Sequence, residues 1–141
     1  MATAVAPERK GEMTALDQER PWTAESVWAV DFIRVKPGQD LEYGRRLADT
    51  WKKVIEEQKK QGVVLSYKIL TGPPSSRDDF THLLMVEFPN YAALDQREKM
   101  DAAVKKVFGS LGGMQEMFRK REEIREAIGT RLLREMRFKE I

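Results

Sequence analysis

VWAVDFIRVKPGQDLEYGRRLADTWKKVIEEQKKQG, residues 27–62, decides the fold. It opens on strict alternation: Trp28, Val30 and Phe32 stand against Ala29, Asp31 and Ile33, the period of two that marks a strand. Pro37-Gly38 ends that strand, and Asp40 stands where a helix cap is expected. The period then changes to that of a helix, with Leu41, Gly44, Ala48, Trp51 and Ile55 on one stripe and Leu47 and Val54 beside it. Lys52-Lys53, Glu56-Glu57 and Lys59-Lys60 fill the opposite face, and Gly62 stops the helix where a C-terminal glycine is favoured. A strand running into a one-sided helix needs a sheet for that helix to cover.

The residues downstream supply it. Val63 to Leu70 is rich in β-branched and aromatic residues and reads as a second strand. Gly72-Pro73-Pro74-Ser75-Ser76 breaks regular structure before a third strand, Phe80 to Phe88 (FTHLLMVEF), so the two form an antiparallel hairpin. Pro89-Asn90 begins a second helix with Leu94, Met100, Ala103, Val104, Val107 and Phe108 as its buried positions. Ser110 to Gly113 interrupts it. Met114, Met117, Phe118, Arg121, Ile124 and Ile128 predict a third helix ended by Gly129, and Leu132 to Phe138 a last strand. The order β-α-β-β-α-(α)-β is ferredoxin-like α+β: one four-stranded antiparallel sheet with helices on a single face.

Upstream, residues 1–24 show no periodicity and mix charges throughout, which predicts a flexible polar arm ahead of a domain spanning 25–141. The arm lacks the apolar stretch of a signal peptide, and no window approaches the roughly 18 apolar residues of a membrane span. The expectation is a cytoplasmic protein without membrane association. Twenty-five basic against 23 acidic side chains leave +2, too little for a general attraction to phosphate backbones. The topology is shared with RNA-recognition motifs, but their stacking aromatics are replaced here by Leu83 and Met85, so no nucleic-acid partner is expected. With no cysteine and a single histidine, disulfides, thiolate catalysis and a protein-only zinc site are excluded or improbable, and no metal or cofactor is expected. Gly109-x-x-Gly112-Gly113 is followed by Met114 rather than Lys-Ser/Thr, so it is no phosphate loop.

The strand leading into Val35-Lys36-Pro37-Gly38, the long helix, and the hairpin ending in Val86-Glu87-Phe88 resemble the dimeric α+β-barrel superfamily over residues 27–140. That group includes antibiotic-biosynthesis-monooxygenase-like, EthD-like and NIPSNAP-like proteins, and Arg121 to Met136 is most similar to its uncharacterised members. The resemblance implies two protomers stacking their open sheet faces into a barrel, with a pocket lined by each sheet. It implies a small hydrophobic ligand and a cofactor-independent oxygenase or isomerase, or else a non-catalytic dimeric structural or interaction module. The histidine and tryptophan pattern of the haem-degrading members is not matched: His82 is alone, and no tryptophan follows Trp51.

Three residues are candidates for a site. His82 could serve as a general base near neutral pH, or simply hydrogen-bond on a sheet face. Arg34 shares the face of Trp28, Val30 and Phe32, which reads as a pocket wall joined by Tyr67, or as one half of an ion pair across a dimer. Arg119, Arg121, Arg125, Arg131, Arg134 and Arg137 are interspersed with Glu116, Glu122, Glu123, Glu126 and Glu135, which predicts solvated pairing rather than an anion site. Met114 and Met117 stand at core spacing. Both faces of the inner strands are apolar, Leu84, Val86 and Phe88 on one side and Leu83 and Met85 on the other. Helices can cover one set only, so a homodimer burying the other is expected.

Overall fold

The structure, a computed structural model, describes residues 13–140. Residues 1–12 of the expected arm lie outside the described residues. Its remainder does not run free: it forms a short helix, α1 (Ala15–Glu19), and the start of the first strand, β1 (Trp22–Val35). Thr14 and Asp17 close a capping box on α1, and the Lys139 ammonium donates to the Asp17 carbonyl at 2.8 Å. Trp22, Thr23 and Ala24 pair with Phe138, Arg137 and Met136. The strand therefore begins five residues before its alternating pattern does, because the far end of the chain supplies its hydrogen bonds.

The long helix is present as three consecutive segments, α2 (Asp40–Arg46), a π-helical turn (Leu47–Trp51) and α3 (Lys52–Lys60). Asp40 is its first residue rather than its cap; Gln39 takes the cap position without a side-chain bond. Strands β2 (Ser66–Thr71) and β3 (His82–Phe88) form the expected hairpin. Asn90 caps a 3-10 turn (Tyr91–Asp95) through the Ala93 N–H, and α4 (Arg97–Phe108) follows. Gly109, at φ +77°, ends α4, a backbone state that a side chain disfavours.

The third helix departs from expectation. α5 (Leu111–Arg121) stops at Arg121, and Arg125 to Gly129 belong to a 14-residue strand, β4 (Arg125–Phe138). Helical spacing of Ile124 and Ile128 suggested otherwise, but β1 offers an open edge as far as Val35. Pairing Arg125 with Val35 and Glu126 with Arg34 satisfies that edge, and Lys36 N–H donates to the Ile124 carbonyl at 2.9 Å. Long-range backbone bonding outweighs local periodicity here.

The sheet order is β2-β3-β1-β4, with every pair antiparallel, so the chain is a ferredoxin-like α+β domain. The helices cover the face carrying Ile33, Val35, Leu84, Val86 and Phe88. Tyr43, Leu47 and Ile124 pack on one half of that face, and Ile55, Val63 and Val64 on the other. Trp51 touches both halves, so the π turn holds one large ring over the middle of the core. Among the described residues no helix is long and apolar enough to cross a membrane.

Candidate functional site

The three sequence candidates do not meet. His82 and Tyr67 stand opposite Ile33 and Val86 in the ladder, on the helix-covered face, while Arg34 projects from the open face. Tyr67 therefore does not join Arg34 in one wall. Each is engaged locally. Arg34 donates to the Arg77 carbonyl at 2.7 Å and pairs with Glu126 of its own chain. Tyr67 O–H donates to Glu56 at 2.5 Å, which raises its pKa, and its ring meets Trp51 edge-on at 5.4 Å. The His82 ring sits edge-on to Tyr43 at 5.5 Å with Nδ1 2.8 Å from the Thr81 hydroxyl. Burial lowers its pKa, which favours the neutral ring, and Asp40 acts in the opposite direction. On the open face the buried Glu87 carboxylate accepts from the hydroxyls of Ser26 at 2.5 Å and Ser66 at 2.6 Å, which explains how a strand tolerates it there.

A different cluster lies in the helical layer. It is built from the π turn, the end of α4 and the length of α5. Gly113 lets α5 fold back closely on α4: a Cβ there would come within 2.7 Å of the Phe108 carbonyl oxygen. In the π turn Thr50 donates to the Arg46 carbonyl at 2.7 Å, a side-chain bond that competes with the regular helical ladder. Such turns widen a helix locally and recur at functional sites. The same hydroxyl accepts from Arg121 Nη2. Arg121 is only 3% exposed, and its Nε finds no hydrogen-bond partner among the described residues.

Between these elements run two adjoining cavities that share Phe108, Met117 and Arg121 in their walls. The inner one, about 170 Å³, is apolar, walled by Trp51, Ile55, Val104, Met114 and Phe118. The outer one, about 340 Å³, opens past Arg46, Asp49, Thr50, Glu116 and Lys120. Most of the surrounding charge is already matched. Arg46 pairs with Glu42 at 3.1 Å, Glu116 with Arg119 at 2.7 Å, and the buried Arg125 with Glu122 at 3.2 Å. Arg125 also donates to the Tyr43 hydroxyl at 2.9 Å. Arg121 has no carboxylate within ion-pair distance among the described residues. Desolvation, reinforced by Arg125 nearby, lowers its pKa to about 10.

The sequence grouped Arg121 and Arg125 with solvated pairs, and the structure corrects that: both are buried. The signal was available. Arg121 falls four residues after Met117 and three after Phe118, on the apolar stripe of α5 and not on its charged face. Among the described residues no group of three or more His, Asp or Glu could hold a metal ion.

No family profile and no curated protein matches the chain. Solved structures do resemble it. A conserved protein from Methanosarcina mazei is 21% identical, with 81% of this chain and 93% of that one covered and a TM-score of 0.43. A dimeric ferredoxin-like protein from an uncultured marine organism is 8% identical over 83% and 92%, TM-score 0.47. A conserved protein of unknown function from Bacteroides thetaiotaomicron, named a possible oxidoreductase, is 14% identical over 79% and 96%, TM-score 0.41. At such identities and scores they say nothing of activity. The class rests on the topology itself.

Proposed function

We propose that the protein binds a small, largely apolar molecule in the paired cavities between the π turn, α4 and α5. The observation that supports this reading is the inner cavity: unfilled, almost wholly apolar volume beside a tryptophan in the helical layer. Empty apolar space costs stability, so a fold tends to retain it where a ligand fills it. Oxygenase or isomerase chemistry needs a base beside the substrate, and neither His82 nor Tyr67 lines these cavities. The reading therefore stops at binding. The test is saturable quenching of Trp51 by a neutral arylalkanol in a protein whose other tryptophans, Trp22 and Trp28, are phenylalanine. Val104→Phe, which fills part of the space without adding a tryptophan, should weaken or abolish the response. A linear, non-saturating response up to the probe's solubility would defeat the proposal.

A second reading, the homodimeric association module, is favoured by β4. That edge strand leaves Ile128, Leu132, Leu133, Met136 and Phe138 at 40–71% exposure, whereas Trp28, Phe32, Leu83 and Met85 on the inner strands are only partly exposed. A long apolar edge is a template for pairing. A solution mass of about twice the 16.3 kDa chain, returning to one chain mass in Leu133→Glu, would support it. A monomer at micromolar concentration would not.

A further inference from the structure

We infer that the occupant of these cavities is an anion: a small monocarboxylate with a compact apolar body, its carboxylate held by the guanidinium of Arg121. This rests on the binding reading above and adds the chemistry of the ligand.

The argument is one of unmatched charge. Around the cavities Arg46, Arg119 and Arg125 each have a carboxylate partner within 3.2 Å. Arg121 is among the most buried side chains of the helical layer, and its described polar partner is a neutral hydroxyl. A buried cation without a counter-charge is costly, and a methionine or leucine would fill the same site on the stripe without that cost. Nε lacks an acceptor, and the side chain lines both cavities. A guanidinium offers its N–H groups in a planar fork that fits a carboxylate, and the bond is stronger away from water. The Thr50 hydroxyl, fixed by its own bond to the Arg46 carbonyl, holds Nη2 in place, so the fork is oriented before a ligand arrives.

The rest of the surroundings narrows the class. Asp49 and Glu116 stand in the outer wall, and Glu116 is occupied by Arg119. They disfavour a polyanion, and Arg121 is the buried cation there without a carboxylate partner among the described residues, whereas Lys120 is exposed at the mouth. The inner wall is apolar and bordered by Trp51, Phe108 and Phe118, which suits an aryl or short alkyl body. An inner space of about 170 Å³ admits a ring with a short chain.

Calorimetry with the full chain at pH 7 compares 4-phenylbutyrate with 4-phenylbutanol, which differ essentially in the charged group. The carboxylate is expected to bind at least tenfold more tightly than the alcohol. In Arg121→Met the two should bind within twofold of each other, through loss of the carboxylate's advantage alone. Arg121→Lys, which keeps the charge and loses the fork, should retain a preference of a few-fold, and it carries the test if Arg121→Met does not fold. Equal binding of the two probes to the unaltered protein would overturn the anion inference and leave the cavity reading standing. A preference that survives Arg121→Met would overturn it too, by placing the carboxylate on Lys120 or Arg46. Binding of neither probe up to millimolar concentration would sink both.

Discussion

Arg121→Met separates a residue kept for a ligand from one kept for the fold. Burial holds the Arg121 guanidinium down to about 10, well below its ordinary value, equivalent to a cost of about 3 kcal/mol for keeping it charged inside the helical layer. The substitution removes that cost. It also removes the bond to Thr50, worth about 2 kcal/mol as a charge-assisted contact, and a cation–π contact with Phe118 at 5.7 Å worth about 1 kcal/mol. Methionine restores about 1–2 kcal/mol of apolar burial at the same place on the stripe. The ligand-free variant should be more stable than the parent by about 1 kcal/mol. Urea unfolding followed by far-UV circular dichroism would show a midpoint higher by roughly half a molar, given slopes of about 2 kcal/mol per molar. The alkaline limb adds a second readout. Because the folded-state pKa is depressed, the unfolded chain binds the extra proton above about pH 10, so the parent gains stability on the variant as pH rises past that value. A loss of 3 kcal/mol or more would refute the reasoning, because that is what removing one partner of a buried structural ion pair costs.

Trp51→Ala should destabilise by about 3 kcal/mol, since the ring is shared by both halves of the core, while Trp22→Ala, paired with the exposed Phe138 at the sheet's far end, should cost under about 1 kcal/mol; equal losses in chemical denaturation would contradict the packing described. Tyr43→Phe takes a hydrogen-bond acceptor from the buried Arg125 and should cost about 1–3 kcal/mol in the same assay, against no change if the contact is incidental. Gly113→Ala forces a Cβ against the Phe108 carbonyl, so α5 must lift from α4; the expected loss is about 1–3 kcal/mol together with weakened binding of any cavity probe. Because the pKa of His82 is depressed on folding, its contribution is complete above the unfolded value near 6.5 and is lost as pH falls below it. The drop in melting temperature between pH 7.5 and 5.5 should shrink in His82→Gln, and an unchanged drop would remove His82 as its source.

What the sequence made legible was whatever repeats. The alternation of Val27 to Val35, the helix from Asp40 to Lys60 and the hairpin around Gly72 to Ser76 each carry their signal within one segment, and all three stand in the structure; the phase of the helix is not the one expected, because Leu41, Gly44 and Ala48 are exposed and Tyr43, Leu47 and Ile55 face the sheet. What it hid depends on partners far along the chain. Trp22 to Ala24 have a strand only because Met136 to Phe138 lie beside them, and Arg125 to Gly129 abandon a helical spacing because β1 has an open edge. The candidate residues stand apart for a related reason. Arg34, Tyr67 and His82 were chosen for their chemistry, but a side chain's face and its neighbours decide whether that chemistry is free, and here each is committed to Glu126, Glu56 or Thr81. Arg121 was hidden by its composition. Six arginines among five glutamates look like a solvated surface unless the helical phase of each is followed separately.

The position of Arg121 also ties the cavity to one element. A ferredoxin-like domain needs only β-α-β-β-α-β to close its sheet, and α5 is the helix beyond that minimum. Without it α4 would lead directly to β4, and Phe108, Met114, Met117 and Arg121 would enclose nothing. α5 adds little to the covering of the sheet: of the two clusters packed there, neither contains a residue from Leu111 to Arg121. It packs instead against α4 and the π turn, on the outside of a core that is already covered. A segment that folds back through Gly109 and Gly113, adds nothing to the main core and buries a cation is hard to account for by stability alone. It is readily accounted for as the wall of a binding site.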